Sequence, residues 1–435
     1  MRPESSIRVL SIFGVALVLG CAGKSGGGGS ATPAASVSST SKPAVRHAPA
    51  PIGSSASPSV PTPPPPATPA APAFVKVDRA NARFVVSGKP FYFAGTNAYY
   101  LMQAKAQGST QTIEALDAAK ATGYRVVRTW GFSDNPNGSQ DPGILQTSPG
   151  VYQDSAFKAM DFVIAEAAKR DLRLVITFTN NWDDYGGMNQ YVRWAGLSGH
   201  DLFFTDAGVK QWFKNYMRDF VSRKNSITGV AYKDDPTIMS WELANEAECR
   251  SDLGGFQGTV RGWYAEMSAY LKSVDPNHLV ATGEEGFDLS TTGYTGFTSY
   301  STYFAVFTFL DGTSFTQNIA LPDIDWGSLH LYPDTWSWLD PTNDGVNWIK
   351  DHVSIARAQG KPCVLSEYGL ERSPHSIYKT WLDAVLATDA AGALVWELVP
   401  ASRGAQVVEP FNVVYPTDTA DVLIQQQAAA ALNAK

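Results

Sequence analysis

Cysteine is scarce in this sequence: three residues in 435, isolated at positions 21, 249 and 363. Such isolation supplies neither a disulfide framework nor the paired spacing of a metal site. Charge is thin as well, at 17% of residues, and the acidic side prevails, giving a net −7 and a pI near 5.4. That balance argues against a nucleic-acid partner and for a neutral or uncharged one. No glycine-rich phosphate loop follows the first strand-like run, so an open doubly wound sheet lacks its usual fingerprint. The apolar run Val9 to Leu19 is too short to span a membrane as a mature helix.

What is present divides the chain in three. Residues 1–21 carry two arginines, that apolar run and then Gly20-Cys21, the pattern of a secretory signal. The Val-Leu-Gly-Cys ending resembles a bacterial lipobox, with Cys21 as the lipidated first residue of the mature chain; the alternative is an ordinary cleaved signal that ends near a cysteine. Residues 22–73 are Gly, Ser, Ala, Thr and Pro with almost no large apolar residue, from "SGGGGS" to "PTPPPPATPAAP". Such a composition cannot bury enough surface to fold, and reads as a floppy then polyproline-stiffened stalk. The expectation is export, with a lipid anchor at the cell envelope as the only membrane contact, or secretion otherwise. Residues 74–435 are aromatic-rich and periodic without a second break, which suits one domain, expected to be a monomer. Twelve tryptophans and eighteen tyrosines fit sugar stacking and a large core equally.

From Phe91 onward, eight short apolar runs alternate with helical patterns: 91–97, 125–130, 173–179, 238–246, 279–285, 326–332, 362–369 and 392–398. Helical periodicity marks 112–121, 157–170, 206–221, 259–274, 377–387 and 420–432, whereas the fifth connection is mostly loop. Eight strand-helix units predict an α/β fold of the (β/α)8 barrel type. Polar and aromatic residues gather at the C-terminal ends of the runs: Asn97, Arg128, Trp130, Asn180, Asn181, Asn245, Glu246, Glu284, Glu285, His330, Tyr332, Glu367 and Trp396. A barrel brings those ends to one mouth, where such folds place their chemistry.

The fourth run, "IMSWELANE", holds two glutamates four residues apart and a third just beyond. Alternation puts Glu242 and Glu246 on one side, with Glu242 roughly 13 Å deeper at about 3.3 Å per residue. A lone charge at that depth needs a partner, so Glu242 reads as structural. Glu248 falls past the strand, on a loop facing solvent or a distal position. Glu246, at the rim, is the candidate for chemistry, and Glu367 of "CVLSEYG" is its natural counterpart. Two carboxylates across a sugar-sized gap are the minimum for cleaving a glycosidic bond. Glu284, Glu285, Glu371, Asp183 and Asp184 are rivals, and Glu397 alternates away from Trp396, outward.

The motifs "GTNAYYL", "RTWGFSD", "TNNWDDYGG", "WELANEAEC", "LHLYPDTW" and "VLSEYG" resemble those of glycoside hydrolase family 5, more narrowly its endo-β-1,4-mannanases of fungal and plant type. The resemblance runs from about Phe74 to Trp396, in the family's order. It implies a retaining double displacement with Glu246 as acid/base and Glu367 as nucleophile, acting on β-mannan polysaccharide or manno-oligosaccharides without metal or cofactor. It implies that Asn245 binds the 2-hydroxyl, that Tyr332 donates to the nucleophile beside His330, and that Trp396 floors the subsite before the cleaved bond. Trp130, Asn181 and Trp182 would shape the same or neighbouring subsites. Arg128 is the cation expected to hold down the pKa of Glu367. For Trp194, Trp336 and Trp338, packing and sugar stacking both stay open.

Two departures stand out. Ala247 replaces the usual proline after the acid/base, and Glu248 replaces an arginine that binds sugar on the leaving-group side. Weaker leaving-side binding is expected unless Arg250 substitutes, and Cys249 is expected to be a free thiol. A β-1,4-glucanase or exo-mannosidase on the same barrel is the near alternative, and a non-catalytic surface carbohydrate-binding protein the distant one.

Overall fold

Each of the eight apolar runs contains a strand: β1 (Phe93–Asn97), β2 (Val126–Trp130), β3 (Arg173–Thr177), β4 (Ile238–Glu242), β5 (Leu279–Ala281), β6 (Gly327–Leu331), β7 (Cys363–Tyr368) and β8 (Gly392–Val395). The computed structural model describes residues 73–435 except 104–108, 136–137, 139–140, 253–256, 289–310, 337–339, 372–374 and 405–409. Cys21, the expected leader and nearly all of the linker lie outside the described residues, as do Trp338 and most of the loop after β5.

The strands form one parallel sheet in the order β5-β4-β3-β2-β1-β8-β7-β6. A parallel bridge between Ala281 and Trp326 spans the remaining gap, so the sheet is a nearly closed (β/α)8 barrel. Helices over Thr110–Ala121, Asp154–Lys169, Ala207–Ser222, Thr259–Val274, Pro341–Ala358, His375–Ala387 and Thr419–Asn433 surround it. Their starts follow local chemistry. Asp206 accepts from Val209 N at 2.9 Å, and Asp340 accepts from Asn343 N at 3.0 Å with Pro341 in the first turn. The helix Pro341–Ala358 is absent from the helical stretches singled out by periodicity, although Asp340-Pro341 is a start signal.

The barrel interior is layered. Phe93, Val126, Val175, Met239, Leu279, Trp326, Val364 and Leu394 pack together at its lower end. Val75 and Phe84 join this cluster from an antiparallel pair, Val75–Asp78 with Arg83–Val86, which plugs the bottom. Above it the buried side chains turn polar: Asn97, Arg128, Thr177, Ser240, Glu242, Ser328 and Ser366. A larger apolar cluster fills the space between strands and helices. Polar groups in the core therefore point to the mouth, and the apolar floor beneath them fixes the strands.

A second polar knot lies outside the barrel. Asp161, fully buried, accepts from Arg223 Nε (3.0 Å) and Nη2 (2.8 Å), the Ser226 hydroxyl (2.7 Å) and the Tyr232 hydroxyl (2.6 Å), joining helix Asp154–Lys169 to the segment after Ser222. These bonds outweigh burial and leave its carboxyl below the ordinary range. Asp161→Ala removes these bonds and leaves Arg223 with Asp154 alone, at 3.1 Å, and should cost about 2–3 kcal/mol, read as a lowered urea midpoint at unchanged m-value.

Candidate active site

Arg128 on β2 organises the mouth. Its fully buried guanidinium donates through Nε to Glu242 Oε2 (2.6 Å), through Nη1 to Asn97 Oδ1 (3.0 Å) and Glu367 Oε1 (2.5 Å), and through Nη2 to Asn245 Oδ1 (2.8 Å). Its Cζ lies 4.9 Å from the centre of the Trp130 ring. Glu242 thus has its partner, and Thr177 Oγ1 adds a second bond at 2.7 Å. The strand ends at Glu242, however, so the extended spacing assumed between it and Glu246 does not apply.

Local irregularities aim the two candidate carboxylates. The regular strand stops at Glu242 although backbone bonds to the neighbouring segments continue, and Glu246 adopts φ 53°, a left-handed conformation costing a non-glycine residue about 1–3 kcal/mol. Its amide donates to Gly283 O at 2.9 Å. Gly283 sits at φ 79°, where an added Cβ would lie 2.1 Å from Ala244 O and 3.2 Å from Glu242 Oε2, so only glycine lets the chain pass this closely. On β7 the register shifts between Leu365 and Tyr368. Ser366 meets Ser328 Oγ at 2.5 Å, while the next residue, Glu367, reaches Arg128, so consecutive side chains both serve the barrel interior. Simple alternation would have sent one of them outward.

His330 stands between the two carboxylates. Its Nδ1 is 2.6 Å from Glu246 Oε1 and its Nε2 is 3.5 Å from Glu367 Oε1. Single ligand atoms of Glu246, His330 and Glu367 all lie within 4.8 Å of one another. Tyr332 OH donates to Glu367 Oε2 (2.7 Å), and Trp182 Nε1 donates to Glu246 Oε2 (2.6 Å). Burial pulls the His330 imidazole down to about 4, so it is neutral above mildly acid pH. Burial likewise raises Glu246, against the Trp182 bond and the charge of Arg128. Glu367 is raised by burial too, although His330, Arg128 and Tyr332 oppose this. The expected net depression of Glu367 by Arg128 is therefore corrected: the ion pair exists, but desolvation outweighs it.

The remaining candidates are placed as follows. Asn245 donates one of its two amide protons to Asn180 Oδ1 at 3.1 Å. Asn181 Oδ1 accepts from Glu248 N at 3.1 Å, and its carbonyl meets His200 Nε2 at 3.1 Å. Trp396 stacks on Tyr99, with centroids 5.3 Å apart and planes 6° apart, and Trp130 leans on it at 6.0 Å. Tyr99 and His200 escaped the sequence reading; Tyr99 was legible, since it lies two residues past the end of β1 inside "GTNAYYL". Trp336 packs on Phe287 and Trp348, and Trp194 on Tyr191, which favours packing for both.

Two further expectations are corrected. Glu248 is 5% exposed rather than facing solvent, and its Oε2 accepts from Arg250 Nε at 3.1 Å, because the loop after Glu246 folds back onto Asn181. Glu397 is fully buried rather than outward, since β8 ends at Val395 and alternation stops there. Glu284 and Glu285 are both buried beside the site, Glu284 accepting from Asn318 Nδ2 at 2.8 Å. Asp183 is exposed and pairs with Arg193. Cys249 and Cys363 are free and buried.

Comparison with known proteins agrees with this geometry. The model of the glycoside hydrolase family 5 β-mannosidase-like group matches residues 72–387. The chain belongs to glycoside hydrolase family 5. It is 38% identical over 385 residues to a putative mannan endo-1,4-β-mannosidase 9 of Oryza sativa subsp. japonica, covering 81% of this chain and 88% of that one. The endo-β-1,4-mannanase of Thermotoga petrophila superposes with a TM-score of 0.73 at 35% identity, over 80% of this chain and 78% of that one. The endo-1,4-β-mannanase of Rhizomucor miehei gives 0.73 at 33% identity, over 83% and 100%.

In this family 5 barrel the buried acids set a pH dependence of stability. Burial raises Glu284 to about 8 from an ordinary 4.5. Between those values the unfolded chain has released its proton while the folded chain keeps it, so stability falls as pH rises, by about 1.4 kcal/mol per unit. Glu284→Gln, which cannot titrate, should flatten the decline in urea midpoint between pH 5 and 8.

Proposed function

We propose that the protein hydrolyses internal β-1,4-mannosidic bonds of mannan, glucomannan or galactomannan by a retaining double displacement, with Glu367 as nucleophile and Glu246 as acid/base. The observation that carries the mechanism is the approach of Glu246 and Glu367 oxygens to within 4.8 Å. Retaining enzymes hold their carboxyls about 5–5.5 Å apart, whereas an inverting pair needs roughly 6.5–9.5 Å to admit a water. The membership in family 5 and the endo-mannanase names of the relatives support the substrate and the endo mode.

The surroundings of the two carboxylates support these roles. Glu367 contacts the Arg128 guanidinium and the Tyr332 hydroxyl directly, which favours its charged form and orients its attack on C1. Glu246 has no cation in direct contact; burial keeps its proton available for the glycosidic oxygen. Once Glu367 is esterified its charge is gone, the field at Glu246 relaxes, and Glu246 deprotonates the incoming water. Asn245, whose amide nitrogen has a second proton besides the one given to Asn180, would bind the 2-hydroxyl, and Trp396, backed by Tyr99, gives the sugar a flat floor. Glu248 and Arg250 flank the leaving-group side as an ion pair in place of a lone arginine.

The purified protein should release reducing sugar from galactomannan and glucomannan but not carboxymethyl cellulose, with the β-anomer appearing first by NMR. Glu367→Ala should lower kcat/KM at least about a thousandfold. Release mainly from cellulose would replace mannan by glucan; binding without release would leave a carbohydrate-binding protein. For residues 1–73 the reading is export and anchoring through Cys21, supported by their composition. Fatty-acid labelling of the full chain, lost in Cys21→Ser, checks it.

A further inference from the structure

Tyr332 serves Glu367 only while its hydroxyl is aimed at it. That hydroxyl donates to Glu367 Oε2 at 2.7 Å, and burial, with the charge of Glu367 beside it, keeps the phenol well above the ordinary tyrosine range. The backbone there is set by β6, which ends one residue earlier at Leu331. The direction of the ring is left to its side-chain torsions and so to what it packs against. Trp336 meets it edge-on, with centroids 6.3 Å apart and planes at 90°. Gly369, two residues after Glu367, leaves the ring its space: an added Cβ would lie 3.0 Å from Tyr332 Cε1 and 3.0 Å from Phe411 Cδ1. Phe411 is the nearer ring, 5.3 Å away at 65°, in the edge-to-face arrangement that aromatic pairs prefer.

Phe411 lies outside the six motifs that mark the family, yet it is firmly mounted. Val413–Tyr415 runs parallel to Leu398–Pro400, with Val413 opposite Leu398, and Val413 N donates to Glu397 O at 2.9 Å. Asp418 fastens the same segment by accepting from Val414 N at 2.7 Å. The chain beyond β8 and Trp396 thus comes back to set one ring against Tyr332. Phe411 also borders a cavity of about 360 Å³ whose lining includes Glu371, Asn412 and Asp418. Phe411 lines that cavity and Tyr332 does not, so the ring stands between polar space and the phenol.

We infer that Phe411 is a positioning residue for the reaction: it holds the Tyr332 hydroxyl on Glu367 Oε2 and screens that bond from solvent. Its part in catalysis rests on the function proposed above; the clamp itself rests on packing. Without the ring the phenol samples other rotamers, and Glu367 loses for much of the time a donor that favours its charged form. Arg128, His330 and Glu246 also face Glu367, and a change at position 411 leaves their own bonds in place.

The test uses the full chain and mannohexaose. Phe411→Ala should lower kcat about tenfold to a hundredfold while KM stays within about twofold. The acid limb of kcat/KM against pH should move to higher pH, because a carboxylate that has lost a donor holds its proton longer. Tyr332→Phe should move the limb the same way. Placed on top of Tyr332→Phe, Phe411→Ala should cost less than about twofold, since no hydroxyl is left to aim. The same carboxyl can be read without substrate, by NMR of the glutamate side-chain carboxyl carbons, the Glu367 signal being the one lost in Glu367→Gln. Its titration midpoint should rise in Phe411→Ala. Cooperative melts establish that the variants are folded; if Phe411→Ala melts below the assay temperature, Phe411→Leu carries the same comparisons. A raised KM at constant kcat would make Phe411 a sugar-binding wall instead. A loss of kcat undiminished in the Tyr332→Phe background, or an unmoved Glu367 titration, would reduce it to plain packing. Each of these overturns the inference. If the native chain hydrolyses no mannan, the proposed function fails, and the Glu367 titration alone decides the clamp.

Discussion

One buried guanidinium holds the mouth of this barrel together. Arg128 ties β2 to Asn97 on β1, Glu242 on β4, Asn245 just beyond β4 and Glu367 on β7. Burying a cation and two carboxylates is expensive, and it is tolerated only because nearly every donor finds an acceptor. Arginine suits the place: its planar fork presents donors in fixed directions, which a lysine could not match. The consequence is functional as well as structural, since the same contacts that neutralise Glu242 below also orient Glu367 above.

Around that centre, the reactive groups sit where regular structure is broken. Glu246 occupies a left-handed backbone conformation beyond the last ladder residue of β4, and Gly283 makes room for the turn. Glu367 lies at a register shift in β7. Each irregularity spends stability to point a carboxylate inward, against the apolar lower layer that keeps the strands in place. His330 then couples the two carboxylates, close enough to touch Glu246 and to approach Glu367. Its neutrality follows from burial, so it can orient its neighbours without adding a charge of its own.

Much of this was legible in the chain. Eight β-branched runs alternating with helical periodicity gave the parallel barrel, because side-chain period and burial are coupled locally. The polar residues at the run ends marked the mouth, and among them Glu246 and Glu367 were the carboxylates that matched the spacing and the family's motifs. The reading failed where local rules stop: Glu397 was sent outward by extending alternation past the end of β8, solvent was left open as one setting for the buried Glu248, and the helix Pro341–Ala358 went unmarked.

The sequence by itself determined the element order, the fold class and the identities of the groups that meet, since these depend on periodicity and on residue chemistry. Only the tertiary structure decided who pairs with whom. Glu242 needed a partner, and Arg128, 114 residues away in the chain, supplies it. Whether a carboxyl is raised or lowered likewise waited on the fold, because the desolvation of Glu367 and the charge of Arg128 beside it act through space and oppose each other. Those are long-range terms, and no window of residues contains both sides of them.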